Sequence, residues 1–383
     1  MTEKGKNMAT EQNGGASREK KKLSVRIHSY PCTSCGHLLS YVPGTSLLRC
    51  SYCKSEEAIK EELHEVPEYI YDPTRDDWDA PEWEKTESYV LPCPSCGAEI
   101  LSPMQAVTVT CPFCETDYVS ELPETAEVIP PTALTPFRVS EEAARESFNG
   151  WAKKRFWAPF GFKKRVKAAP LRGMYIPAWT FDTDLSTSYS GFGGRRRIIT
   201  RTVRRNGKTV TETRTVIDWY PISGVEQLYT DDILISASKK IDRALFSKLS
   251  PYSTKVMNVY DPAYLAGLSA ERYDVGPSDA FEEASRYAKS EIESYILRSR
   301  GFDTYRGMSY RHDFQRVTFK EILLPVFRSS YTYHKKQYAF LVNGESGKIC
   351  GKYPVSVLKV LIAVLLGLGI VALAVVLILL YGG

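Results

Sequence analysis

Eight of the nine cysteines fall into one pattern that the chain uses twice. Cys32-x-x-Cys35 is followed by Cys50-x-x-Cys53, and Cys93-x-x-Cys96 is followed at the same separation by Cys111-x-x-Cys114. The second copy keeps every interval of the first, and its flank repeats too: Pro-Cys-Thr-Ser-Cys-Gly at 31–36 returns as Pro-Cys-Pro-Ser-Cys-Gly at 92–97. Two residues between cysteines let a tight turn aim both sulfurs at one point. Two such turns, joined by a short hairpin, gather the four thiolates of a tetrahedral zinc site. The spacing between turns is one residue below the usual range, which a short hairpin absorbs. The pattern predicts two Zn2+ ions per chain, one held by Cys32, Cys35, Cys50 and Cys53, the other by Cys93, Cys96, Cys111 and Cys114. Four sulfurs close the coordination sphere, so both sites read as structural. Disulfides are the rival reading; they need an oxidising compartment, and the N-terminal residues have no apolar stretch of the signal-peptide kind. His37 is not counted as a ligand, because its counterpart in the second copy is Ala98.

By composition the 383 residues fall into distinct segments. Residues 1–26 read as a disordered tail, 27–59 as the first ribbon, 60–88 as an acidic linker and 89–120 as the second ribbon. The linker is broken by Pro67, Pro73 and Pro81 and reads mainly as a solvated spacer, although Tyr69, Tyr71, Trp78 and Trp83 suggest that part of it docks. Residues 132–354 form an α+β domain rich in antiparallel sheet. In it Ser140 caps a helix with Ala144, Phe148 and Trp151 on one face. Residues 151–172 carry eight cations and no acid, interleaved with Trp151, Phe156, Trp157, Phe160 and Phe162. Such a stretch binds nucleic acid or anionic lipid headgroups, unless its rings are core and its lysines a solvated face. Residues 173–182 read as a buried strand. A long basic hairpin covers 194–220 and turns at Asn206-Gly207. Helices are expected at 238–249 and at 278–299, the latter capped by Ser278. Strands close the domain at 316–324, 326–334, 337–343 and 347–352, turning at 334–336 and at Asn343-Gly344.

Residues 360–380 contain no charge. At 1.5 Å per residue they reach about 31 Å, enough to cross a bilayer, so a single transmembrane helix is expected over 358–381. Lys348, Lys352 and Lys359 precede the span and nothing basic follows it. The positive-inside rule then puts the N-terminal bulk on the cytoplasmic face, held by a tail anchor, which agrees with reduced cysteines. None of the five histidines pairs with an acid or nucleophile at a recognisable spacing.

Two ribbons with an acidic linker, then GMYIPAWTFD (173–182), WYPISG (219–224), DDILISASK (231–239), YDPAYLAGLSAERYDV (260–275), ILLPVFRSSYTY (322–333) and FLVNGESGKICGKYP (340–354), give the sequence its likeness. It resembles bacterial zinc-ribbon domain proteins often labelled primosomal replication factor Y-like helicases, over roughly residues 27–354. In that group the knuckles usually end Cys-Gly; here Lys54 follows Cys53 and Glu115 follows Cys114. The helicase label fails a residue test. The nearest string to a phosphate-binding loop, Asn343 to Ile349, has too few residues between its glycines and lacks the magnesium-binding hydroxyl. G-x-S-x-G and H-E-x-x-H are absent as well. The expectation is a non-enzymatic, membrane-tethered cytoplasmic protein whose ribbons serve a protein partner as an interaction module or scaffold. The alternative is a nucleic-acid-binding protein linked to replication or transcription. An enzyme would be signalled by Asp182, Asp184 and Tyr189 gathered in a deep pocket.

Overall fold

A computed structural model describes residues 30–59, 66–72, 86–102, 108–119, 124–128, 131–205, 208–334 and 336–381. The expected tail at 1–26 lies outside the described residues, as do most of the linker and the Asn206-Gly207 turn.

Three long strands, Arg172–Arg205, Lys208–Ser236 and Thr304–Tyr333, lie side by side and antiparallel with the first in the middle. At about 3.3 Å per residue the central strand has a contour of roughly 110 Å. The sequence sustains this length by alternation: from residue 221 to residue 231 exposed and covered residues alternate one by one, as the two faces of a pleated strand require. Bulges between Phe181 and Thr183, Asp184 and Leu185, and Ser190 and Phe192 let the strands bend and shift register. Gly193 lies at a close approach, since a Cβ there would come within 2.4 Å of the Phe302 ring.

Near its Arg172 end this ribbon widens into the body of the molecule. Lys336–Asn343 pairs with Thr304–Tyr333 and then with Ile349–Gly351, while Ala133–Leu134 adds in parallel. Helix α1 (Glu141–Lys153) is capped by Ser140, whose hydroxyl accepts from the Ala143 N–H, as its sequence predicts. It packs with α2 (Phe162–Ala168) against Tyr331 and Phe340 through Phe148, Trp151, Phe162 and Val166. Helix α3 (Arg243–Leu249) starts later than expected, because Asp242 supplies the cap. Helix α4 (Pro277–Arg300) has Gly276 rather than Ser278 at its cap, with Pro277 in the first turn where a missing N–H costs nothing. Its Ala284, Ala288, Ile292 and Ile296 cover Trp179, Phe181 and Leu185 of the central strand. Helix α5 (Val357–Tyr381) is, among the described residues, the helix long and apolar enough to cross a membrane. None of its apolar window is buried within the protein.

Two expectations need correction. The strands predicted at 316–324 and 326–334 are one, running from Thr304 to Tyr333. Pro325 does not break it. Its carbonyl accepts from Gly344 N–H at 2.9 Å, so the missing N–H faces the same edge, just past the last pairing with Lys336–Asn343. The strand expected at 173–182 and the first arm of the hairpin expected at 194–220 are likewise one strand, Arg172–Arg205, paired with Lys208–Ser236. Part of the linker docks, as Tyr69 and Tyr71 suggest. Tyr69 and Ile70 pair with Phe319 and Thr318, and the Tyr71 ring packs on Phe181, Phe281 and Phe319. Glu68 reaches Thr318 at 2.8 Å and Lys320 at 2.7 Å, so that acid meets its cation in the fold.

Candidate metal centres

All four knuckles share one local geometry. In each, the N–H of the residue after the second cysteine donates to the carbonyl of the first: Gly36 to Cys32, Lys54 to Cys50, Gly97 to Cys93 and Glu115 to Cys111, at 2.8–3.2 Å. The first cysteine's N–H then donates to the carbonyl five residues on, that of His37, Ser55, Ala98 or Thr116. Closing this turn drives the residue after the second cysteine to positive φ: 76° at Gly36, 65° at Lys54, 66° at Gly97 and 61° at Glu115. Glycine meets the demand freely in the first knuckle of each copy; Lys54 and Glu115 meet it under strain in the second.

The turns bring the sulfurs together as the spacing predicts. Cys32 and Cys53 lie 3.5 Å apart, as do Cys35 and Cys50, and the second copy repeats this with Cys93–Cys114 at 3.5 Å and Cys96–Cys111 at 3.6 Å. All four sulfurs of each cluster fall within 4.8 Å of one another. A disulfide would hold its sulfurs only about 2 Å apart. All nine cysteines are unbridged. Four thiolates around a tetrahedral ion at about 2.3 Å sit about 3.8 Å apart, so the donor set and its spacing fit such an ion. Each cluster could hold one metal ion. Cys350, the ninth cysteine, stands apart: burial pushes its thiol up to about 11, and it donates to the Leu245 carbonyl.

A hydroxyl two residues after the last cysteine touches both clusters. Ser55 Oγ lies 2.9 Å from Cys32 Sγ and 3.0 Å from Cys53 Sγ; Thr116 Oγ1 lies 3.2 Å from Cys114 Sγ. The Ser55 hydroxyl is the main cause that brings Cys32 down to about 6. These residues escape a reading built on cysteines alone, but the signal was present: both copies place a hydroxyl at the same offset. His37, passed over as a ligand, instead stacks on Tyr52 with centroids 4.4 Å apart.

Neither cluster floats free of the body. In the first, Tyr41 N–H donates to Ala266 O, and Gly44, at φ 87°, places its N–H on Phe137 O beside the start of α1. The second is gripped more closely. Glu99–Ser102 pairs with Ser269–Glu271, which adds in parallel to the central strand. Arg328 donates to Phe113 O at 3.2 Å with its guanidinium 4.7 Å above the Phe113 ring. Lys240 donates to Cys96 O, and Ser330 to Glu115. A four-thiolate site around a divalent ion carries two net negative charges, and these cations lie where they offset it.

Other constellations are brought together without forming a reaction centre. Thr187 Oγ1 lies 2.9 Å from His312 Nδ1, and His312 Nε2 lies 3.0 Å from Glu293 Oε1. This resembles a nucleophile, base and orienting acid, but Thr187 is fully buried and no substrate can reach it; the network ties α4 to the sheet. Asp182, Asp231 and Asp232 bring their carboxylates together, and the Lys320 ammonium lies 2.9 Å from Asp232 and is shared with Glu68. Asp184 is half-buried on the central strand, and Tyr189 is buried beneath the Arg300 guanidinium. A cleft of about 250 Å³ between Lys240, Leu245, Arg328 and Lys352 contains none of the three. The 343–349 string is a turn in which Asn343 Oδ1 accepts from the N–H groups of Glu345 and Ser346.

No family model matches the chain, and no solved structure matches it at a significant level. The chain is similar to the uncharacterized protein YdjG of Bacillus subtilis (strain 168), with 32% identity over 231 residues. The similarity covers 59% of this chain and 64% of the length of that relative.

Proposed function

We propose that this protein is a membrane-tethered, non-enzymatic scaffold in which two structural zinc ribbons, fused to a sheet-rich body, serve a protein partner. The observation that carries this reading is the pair of closed four-sulfur clusters, each with its sulfurs within 4.8 Å. Zinc supplies no redox chemistry there and leaves no open coordination position; it fixes the fold of each ribbon. The helix Val357–Tyr381 crosses the bilayer, and the ribbons face the cytoplasm, where thiols stay reduced. On the first ribbon, Leu38 and Tyr52 are exposed and His37 stacks on Tyr52, which offers a small apolar rim for contact. The likeness to the zinc-ribbon group labelled as helicases supports the ribbons and says nothing of translocation.

Metal analysis of the full chain should give two zinc ions per protein; a ratio near one removes one site. A photo-crosslinking side chain at Tyr52, in native membranes, should form a discrete adduct that Leu38→Ser abolishes. No adduct under any condition counts against the scaffold reading. Nucleic-acid binding keeps one supporting observation, the exposed Arg195, Arg196, Arg201, Arg204 and Arg214 on the hairpin. It requires affinity for DNA or RNA that falls steeply with salt.

A further inference from the structure

We infer that the loop between α1 and α2 is a second membrane contact, a wedge that enters the headgroup–acyl boundary beside α5. The proposal rests on α5 crossing a bilayer. The sequence 151–172 offers five aromatic rings, and the fold sorts them. Trp151 and Phe162 are buried against Tyr331 and Phe340. Phe156 is 70% exposed, Phe160 72% and Trp157 39%, all three on the loop that links the two helices. Large rings exposed together on one short loop need a partner, and the loop's position says which.

The loop is fastened to the first turn of α5 and to the residue before it. The Trp157 carbonyl accepts from Ser356 N–H at 2.8 Å, and the carbonyls of Phe156 and Ala158 accept from the Lys359 ammonium at 2.8 and 2.6 Å. The same ammonium lies 4.7 Å from the Phe160 ring centroid and 5.5 Å from that of Phe156. The rings therefore lie beside the point where the apolar helix begins. Backbone that enters an apolar layer must bring its hydrogen-bond partners with it. Here three successive carbonyls are satisfied, the N–H groups of Phe156 and Ala158 donate to Lys154 and Arg155, and Pro159 has no N–H to satisfy. Exposed cations flank the rings on both sides: Lys153 and Lys154 at the end of α1, and Lys163, Lys164, Arg165 and Lys167 on α2. Rings at the boundary with cations at headgroup level match the surface of an anionic leaflet. Lys359 is thereby neither a free charge nor a misplaced one; it ties the wedge to the span.

The test uses the full chain in vesicles of phosphatidylcholine and phosphatidylglycerol whose acyl chains carry bromine either near the headgroup or near the chain end. Helix α5 contains no tryptophan, and Trp157 is one of six. Shallow bromine should quench wild type more than Trp157→Phe, by roughly one-sixth of the emission, and deep bromine should quench both alike. Phe156→Ser/Phe160→Ser should lose the shallow quenching while still floating with the vesicles. Equal quenching of wild type and Trp157→Phe in floating vesicles overturns the wedge alone. Failure of the chain to float overturns the anchor reading and the wedge with it.

Discussion

Lys54 and Glu115 occupy one position in two copies of one turn, with φ of 65° and 61°. A side chain in this conformation costs about 1 kcal/mol relative to glycine. Lys54 is exposed, and its ammonium folds back to the Ser51 carbonyl, so Lys54→Gly should stabilise the first cluster's turn by up to about 1 kcal/mol. Glu115 accepts from Ser330, so Glu115→Gly should gain less or lose stability. Thermal unfolding of both variants checks this; equal gains would show that the Ser330 bond contributes nothing. Glu271 offers a second test. Burial, its largest cause, raises it to about 8, while Ser238 donates to it at 2.8 Å and opposes the shift. A carboxyl raised in the fold stabilises most below its unfolded value of 4.5 and loses that contribution as pH climbs through about 8. Glu271→Gln keeps the Ser238 contact and cannot ionise. Its unfolding free energy should exceed that of wild type at alkaline pH and converge with it at acid pH. A difference that does not vary with pH would sink the argument.

At the scale of elements, residues 66–72 tie the stretch between the two cysteine clusters to the sheet. Tyr71 N–H donates to Val317 O and its ring meets three phenylalanines, so the chain between the ribbons is sewn to the sheet at its middle. Tyr71→Ala should cost about 3 kcal/mol or more, the usual cost of deleting a buried ring. It should also expose the segment to protease before the body unfolds. A loss under about 1 kcal/mol would mean the segment only rests on the surface. The long strand Thr304–Tyr333 shows the converse. Its first dozen residues place Met308, Tyr310, His312 and Phe314 on one face, and that face exists only because α4 lies across it.

For the whole molecule, the second cluster and the body share one core. Cys93 and Cys111 are buried in the same apolar cluster as Met174, Ile176, Ile322 and Leu324. If the second cluster holds a metal ion, removing it with a chelator should therefore loosen more than the cluster itself. Amide exchange in Ser269–Glu271 and in residues 172–178 should accelerate on chelation, and Cys111→Ser should do the same without chelator. Protection left intact in the body while Thr86–Ser102 opens would show two independent folding units. The first cluster meets the body through Tyr41 and Gly44. Gly44→Ala, whose Cβ would come within 2.9 Å of Ser140 N, should loosen that ribbon with smaller effect on the body.

Local signals in the sequence suffice for the two four-cysteine clusters, the capped helix at Ser140 and the long apolar helix. Each rests on a local rule: two residues between cysteines, a hydroxyl ahead of an amphipathic run, an uncharged stretch of sufficient length. The sequence also carried the sheet's alternation, though not its extent, because Pro325 looks like a break until its carbonyl edge is known. Only the tertiary structure could sort the aromatics of 151–172 into core and wedge, since ring type and spacing are the same in both. Only it could bring His312 to Thr187 and Glu293, which stand 125 and 19 residues away in the chain. Such contacts depend on which face of a strand a helix covers, a non-local choice made by the packing of the whole sheet and recorded in no single segment.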